Sequence, residues 1–330
     1  MEPQSKRPGI RAVHSVDDFV ISVPDLAEAE AFYTDFGLDV RRSSGRLALH
    51  TLGHPHAWGH VMQAPGLKRL QWLSFGIYPE DEAAFVHEID ARGLTAAPHP
   101  ANDAASELSN DPANDAAKGG GHWLQGPDGL AIQLRVAPKV APSVRAMPHH
   151  PVTPPGAGAA PARSRAGLVR PRRLSHLLLF ASDVPASIAF YRDVLGLRLS
   201  DHSGDGIAFL HGPHGSDHHL IALAKSNAGG LHHSSWDVGS VHQVGLGAEN
   251  MKARGHDRGW GVGRHVLGSN YFYYVRDPWG SYAEYSFDID HIPADLDWPA
   301  ADHPPEDSFY VWGPTPPADF VTNFEHPAAA

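Results

Sequence analysis

The sequence predicts an α+β fold made of two tandem strand–helix–strand modules rather than a doubly wound parallel sheet. Three observations carry that expectation. The chain has 330 residues, too many for one ordinary domain. Residues 138–171 are rich in Pro, Ala and Arg, a composition that reads as a linker because it buries too little apolar surface to offset chain entropy. The pieces on either side repeat one another, at an offset of 158 to 161 residues at their landmarks apart from local insertions.

The repeat is legible element by element. "DDFVISVPDLAEAEAFYTDFGL" and "SHLLLFASDVPASIAFYRDVLGL" each begin with an apolar, strand-like run ending at Asp25 or Asp183. Either aspartate suits a helix N-cap. About ten helical residues follow, with Phe-Tyr at matching places, and Gly37 or Gly196 stands just past the helix end, where a left-handed residue closes the last turn. Matched strands come next, "LQWLSFGI" and "LHHSSWDV", and each copy closes with a Pro/Gly turn running into a strand, "GPDGLAIQLRV" and "DPWGSYAEYSF". The expected organisation is therefore a first domain over 1–137, the 138–171 linker, a second domain over 172–290, and a Trp-, Pro- and acid-rich arm over 291–330. The arm reads as aromatics packed against their own domain, or as a roof over a site. Residues 101–121 are small and polar, as in a loop insertion.

Composition narrows the function. The formal charge of −11 argues against nucleic acid and anionic membrane surfaces as partners. No apolar run reaches the roughly 18 residues of a membrane span, and the N-terminal stretch has no secretory h-region, so a cytoplasmic protein is the simplest expectation. The chain has no cysteine, which leaves His and carboxylates as metal ligands, and it has 24 histidines.

Aligning the copies sets His176, His233 and Glu284 opposite Asp18, Trp72 and Gln133. The second copy thus holds a His, His, carboxylate set on three corresponding strands, and the first has no such set. Two neutral imidazoles and one carboxylate on one face of a divalent metal leave the other face open, as in non-heme Fe(II) oxygenases. One carboxylate leaves the site at net +1, which a singly deprotonated catechol neutralises while occupying two coordination positions. Tyr274 and Glu284 flank the Pro278–Gly280 turn and so belong on neighbouring strands, which sets a phenol near the metal.

These residues carry a family resemblance. Gly263, His265, a spacer and one ordinarily apolar position, Tyr274, Asp277-Pro278, Gly280 and Glu284 match the closing motif of the type I extradiol ring-cleaving dioxygenases of the vicinal oxygen chelate superfamily, with Tyr273 where an aliphatic residue or Phe is usual. The resemblance implies βαβββ modules in two domains with mixed, curved sheets and a metal only in the second. It implies His176, His233 and Glu284 as ligands of Fe(II), with Mn(II) as a substitute and O2 as co-substrate. In the pair His232-His233 it assigns the metal to His233, and strand alternation then turns His232 to the opposite face. It implies His219 as acid–base, with His218 one residue of slippage away, and His265 and Tyr274 as hydrogen-bonding partners of the substrate. The product would be a muconic semialdehyde from a small aromatic diol, the protein a homo-oligomer, and activity would fall as acid protonates the histidine ligands. Two other readings use the same fold: a silent binder of aromatic ligands, and a glyoxalase-like isomerase. His202, His211 and His214 read as solvated or mouth residues. Arg258 and Arg264 lie near the segment that would meet a substrate carboxylate, without a firm place there.

Overall fold

The computed structural model describes residues 5–43, 45–97, 121–148 and 153–327, so the expected insertion lies, except for Gly121, outside the described residues. The first half runs β1 (Ser15–Val23), α1 (Leu26–Phe36), β2 (Asp39–Ser43), β3 (Arg46–His50), β4 (Ala57–Gln63), β5 (Arg69–Ile77), α2 (Glu82–Ala91), β6 (His122–Gln125) and β7 (Ala131–Val136). The second half begins with β8 (Arg173–Ala181), α3 (Val184–Asp193), β9 (Arg198–Ser203), β10 (Ile207–His211), β11 (Ser216–Asp217) and β12 (Ile221–Lys225). It continues with β13 (Gly230–Asp237), α4 (Val241–Lys252), β14 (Gly259–His265), β15 (Tyr271–Arg276) and β16 (Tyr282–Phe287). The arm adds β17 (His291–Ile292), β18 (Ala301–Asp302) and β19 (Tyr310–Trp312).

The βαβββ order therefore occurs twice in the second half, once from β8, with the two-residue β11 as an extra strand outside that sheet, and once from β13. The helices α2 and α4 are additions to the sequence reading. The second is capped by the Ser240 hydroxyl, which accepts from the Gln243 amide at 3.2 Å, and buries Val244, Ala248 and Met251. The expected helices form for the expected reasons. Asp25 accepts from the amides of Ala27 at 2.7 Å and Glu28 at 3.2 Å, and Asp183 from that of Ala186 at 2.9 Å, each cap worth about 1 kcal/mol. Gly37 (φ +104°) and Gly196 (φ +76°) are left-handed, and a Cβ on either would lie 2.0 Å from the Val169 carbonyl oxygen or 2.4 Å from that of Arg11.

The strands make one large sheet per half, ordered β2-β3-β4-β1-β5-β7-β6 and β18-β9-β10-β12-β8-β13-β16-β15-β14-β19, while β11 and β17 pair in a small two-stranded sheet. Parallel and antiparallel pairs mix: β8 runs antiparallel to β13, and β13 parallel to β16. The halves share a core. Phe36 stacks on Tyr285 at 4.0 Å, and the Tyr285 hydroxyl donates to the Phe36 carbonyl at 2.7 Å. Asp277 of the Asp-Pro turn forms a buried ion pair with Lys68 and accepts the amides of Trp279 and Ser281, so it braces the turn and ties the halves together. No helix among the described residues is long and apolar enough to cross a membrane.

Two expectations are corrected. The 138–171 segment is partly docked: Val169 is buried in the core, and Val140 and Ala141 pack against it. A few apolar residues anchor what composition alone reads as free. His211 and His214 are buried rather than solvated, and only His202 of the three stays partly exposed. The N-terminal segment covers His214, whose Nδ1 accepts the Arg7 amide at 3.1 Å, while His211 Nδ1 meets the hydroxyl of Ser200 on β9 at 2.8 Å.

These buried rings, together with that of His14 just before β1, predict an acid limit to stability. Burial lowers His14 and His211 to about 3 and His214 to about 4, from an ordinary value of 6.5. A depressed folded pKa means that the unfolded chain binds the proton first. Stability is thus complete above about pH 6.5 and falls with acid, at about 1.4 kcal/mol per pH unit for each ring, until its folded pKa is reached. Urea unfolding of metal-free protein at pH 7.5 and 5 checks this: the midpoint drops, whereas equal midpoints would refute it.

Candidate active site

Three adjacent strands assemble the centre. His176 on β8 pairs with Ser235 on β13, and Ser235 pairs with Glu284 on β16, forming a row across the sheet. His233 lies two residues before Ser235 on the same strand, hence on the same face. Glu284 Oε2 is 3.3 Å from His176 Nε2 and 3.5 Å from His233 Nε2, and the two nitrogens are 3.4 Å apart. Among the described residues this is the one group of three His or carboxylate ligand atoms within 4.8 Å of one another.

The donors fit a divalent metal. Glu284 is fully buried, and its Oε2 has no hydrogen-bond partner, an orphaned charge aimed at both imidazoles. Atoms sharing a first-row ion at bonds of about 2.0–2.2 Å stand roughly 3.0–3.5 Å apart, as these do. The other carboxylate oxygen, Oε1, accepts from Asn270 Nδ2 at 3.1 Å, and that amide also reaches the Ser286 hydroxyl at 3.0 Å. Burial opposes the Glu284 charge, yet the facing rings of His176 and His265 hold its pKa below the ordinary carboxylate value. Burial pushes His233 far down, so it is neutral, as a ligand requires. His176 is oriented from behind. The Ser175 hydroxyl donates to Asp217 at 2.8 Å and so accepts the His176 Nδ1 proton at 3.2 Å, which leaves Nε2 bare.

The remaining expected residues surround this centre. The His219 ring lies 4.0 Å from that of His176, and its Nδ1 is 3.1 Å from His218 Nδ1. His218 turns the other way and holds Asp201 through Nε2 at 2.9 Å. Of the adjacent pair it is His219 that lines the pocket. Burial, then the neighbouring histidines, push His219 well below its ordinary value. Tyr274 pairs directly with Glu284 across β15 and β16, and burial followed by that carboxylate raises its phenol. His265 donates Nδ1–H to the Phe309 carbonyl at 2.9 Å, so its Nε2 accepts the Tyr274 hydroxyl proton at 2.9 Å. Arg258 and Arg264 do not line the pocket.

His232 departs from expectation. It does not point away from the site: its ring also lines the pocket, with Nδ1 2.7 Å from His233 Nδ1. A β-bulge between Leu231 and His233 inserts one residue against β8 and breaks the alternation that the sequence reading assumed. Sequence reasoning also missed Asn270, Ser175 and Asp217, polar residues with no spacing rule to mark them. The arm supplies Phe309, Phe320 and Val321 to the pocket wall, so it does roof the site.

The matching place in the first half is filled from within the chain. The Arg135 guanidinium bonds both Asp17 and Asp18, while Ser74 donates to Gln133 at 3.1 Å. A built-in cation thus stands where the second half gathers two histidines and a carboxylate.

Known proteins agree with this architecture. Residues 173–285 match the family model "Glyoxalase/Bleomycin resistance protein/Dioxygenase superfamily". The chain is 46% identical over 325 residues to metapyrocatechase 2 of Cupriavidus necator, covering 98% of this chain and 97% of that one. Homoprotocatechuate 2,3-dioxygenase of Arthrobacter globiformis shares the fold, with a TM-score of 0.71 at 20% identity over 97% of this chain and 95% of that one. The Mn(II)-bound glyoxalase of Novosphingobium aromaticivorans superposes with a TM-score of 0.69 at 26% identity, over 92% of each chain. Near-full-length identity with the first of these, on a fold shared with the others, shows that the chain belongs to the type I extradiol ring-cleaving dioxygenases of the vicinal oxygen chelate superfamily.

Proposed function

We propose that the chain opens the ring of a catechol bearing no charged substituent, inserting both atoms of O2 to give a muconic semialdehyde-type product, with Fe(II) held by His176, His233 and Glu284 and Mn(II) as a substitute. The observation that carries this reading is the convergence of two bare imidazole nitrogens and one orphaned carboxylate oxygen on a pocket walled by Leu178, Phe209, Leu267, Phe309 and Phe320. When bound, the metal supplies Lewis acidity to the diol oxygens and an electron path between ring and dioxygen.

The chain's own residues do the rest. Asp201 fixes a proton of His218 on Nε2, so His218 Nδ1 accepts from His219 Nδ1, and His219 Nε2 is free to take a substrate hydroxyl proton and return it later. Tyr274 spends its proton on His265, which leaves its oxygen to accept from the remaining diol hydroxyl. Asn270 keeps Glu284 Oε1 occupied so that Oε2 alone faces the centre. The aromatic wall excludes water and positions a flat ring.

The lining residues include no lysine or arginine among the described residues. A substrate carboxylate would be buried without a partner, at a cost of several kcal/mol. Oxygen uptake by anaerobically Fe(II)- or Mn(II)-loaded protein, across a panel of diols, tests the proposal. Catechol and 4-methylcatechol should turn over with yellow product, at a kcat/KM at least about 100-fold above that for 3,4-dihydroxyphenylacetate. Preference for the acid would overturn the substrate class, and no uptake with any diol would overturn the reaction.

A further inference from the structure

We propose that His232 is a positioning residue for the metal centre: together with the main-chain carbonyl of Phe320 in the C-terminal arm, it fixes the tautomer and ring orientation of His233 so that His233 Nε2 presents its lone pair to the ion. This rests on the reading of His233 as a ligand.

The Phe320 carbonyl can only accept, and it lies 2.8 Å from His232 Nε2, so that nitrogen carries the hydrogen. In a neutral ring His232 Nδ1 is then an acceptor. Its 2.7 Å contact with His233 Nδ1 therefore requires the hydrogen on His233, whose Nε2 is left bare toward Glu284 and His176. The opposite tautomer of His233 would set two lone pairs against each other at that distance and point a hydrogen at the ion.

The device is built rather than incidental. The bulge at Leu231–His233 brings His232 round to its partner. Its ring is held between those of Tyr282 and Phe320, at 5.5 and 4.8 Å. The arm is pinned on both sides of the carbonyl. Arg276 bonds Asp319 at 2.7 Å, Asn323 donates to the carbonyls of Ala228 and Gly229 at 3.0 and 3.1 Å, and Glu325 accepts the Leu231 amide at 2.9 Å. The arm repeats the device at His265 through the Phe309 carbonyl. The His218–His219 pair has the same Nδ1-to-Nδ1 contact but ends on the Asp201 carboxylate. A carbonyl fixes a tautomer without drawing the proton as a carboxylate does, which suits a ligand, while the carboxylate suits a group that trades protons.

Two variants separate acceptor chemistry from bulk. His232→Phe keeps a ring and removes the acceptor, whereas His232→Asn sets its Oδ1 near the lost Nδ1. Zn(II) affinity of metal-free protein is read by chelator competition, with thermal unfolding of the metal-free forms as control. His232→Phe should bind Zn(II) about 10- to 100-fold more weakly, the scale of losing a group that orients a ligand, and His232→Asn should stay near wild type. Equal affinities in all three proteins, or equal loss in both variants, would overturn the proposal. In the wild-type protein loaded with Zn(II), long-range proton–nitrogen NMR should show His233 protonated at Nδ1 and His232 at Nε2; a hydrogen on His232 Nδ1 would overturn it even if neither variant folds. Wild-type protein that binds no Zn(II) would instead overturn the ligand reading beneath it.

Discussion

Glu284→Gln should leave the fold intact and empty the metal centre. Glu284 is fully buried, and only one of its two carboxylate oxygens has a hydrogen-bond partner. The amide has almost the same shape, and its oxygen can keep the Asn270 contact, so thermal unfolding of the metal-free variant should stay close to wild type. Metal binding should not. Without the carboxylate, two neutral nitrogens face a divalent ion with no charge to offset it. Turnover should fall by at least about 1000-fold, the factor that corresponds to losing several kcal/mol of metal-derived charge stabilisation. Metal per chain after desalting, measured with oxygen uptake and the unfolding midpoint, checks the three together. A variant that keeps one ion and its turnover would remove Glu284 from the ligand set. A variant that loses the ion only because it unfolds at lower temperature would assign Glu284 to structure instead.

The separation expected between stability and activity reflects how the two halves differ. In the first half the same strand positions carry Asp18, Trp72 and Gln133, and the charge there is neutralised by Arg135 from within the chain. In the second half no side chain among the described residues fills that role, and Glu284 Oε2 is left without a partner. This difference was legible in the sequence, because a duplicated module supplies its own control: a His, His, Glu set on matched strands stands out against a copy that lacks it. The helix caps at Asp25 and Asp183 were legible for a simpler reason, since capping depends on neighbours two or three residues away. His232 was not legible. Strand alternation presupposes regular pairing, and the bulge that turns this ring is a property of how β13 lies against β8. His211 and His214 escaped for the same kind of reason. Whether a histidine is wet depends on what covers it, and Arg7, about 200 residues away in the chain, covers His214. The docked end of the linker rests on Val169 filling a place beside Gly37, a contact that no composition window can show.

His219→Phe should separate proton transfer from metal binding. The ring at this position lines the pocket but offers no atom to the group formed by His176, His233 and Glu284, so metal content should match wild type. Phenylalanine fills the space against Phe209, whose ring is 4.9 Å away, and the metal-free fold should survive. Turnover should nonetheless fall by about 100- to 10,000-fold, the range expected when a positioned acid–base is removed. The pH dependence gives a second readout. Burial and the surrounding histidines push His219 well below its ordinary value, so the resting ring is neutral, and wild-type kcat/KM should hold from neutral pH into mild acid before declining as the ring gains its proton. In His219→Phe that contribution to the acid limb disappears, and what remains reports protonation of the ligands and loss of the ion. His218→Phe is the companion variant. Its ring is withdrawn from the pocket and serves His219 through Nδ1, so its loss should lower turnover less than loss of His219 itself. If His218→Phe were the more damaging of the two, the acid–base role would pass to the outer ring. If His219→Phe retained full turnover, the proton would be travelling by another route, with Tyr274 and His265 the nearest groups able to carry it.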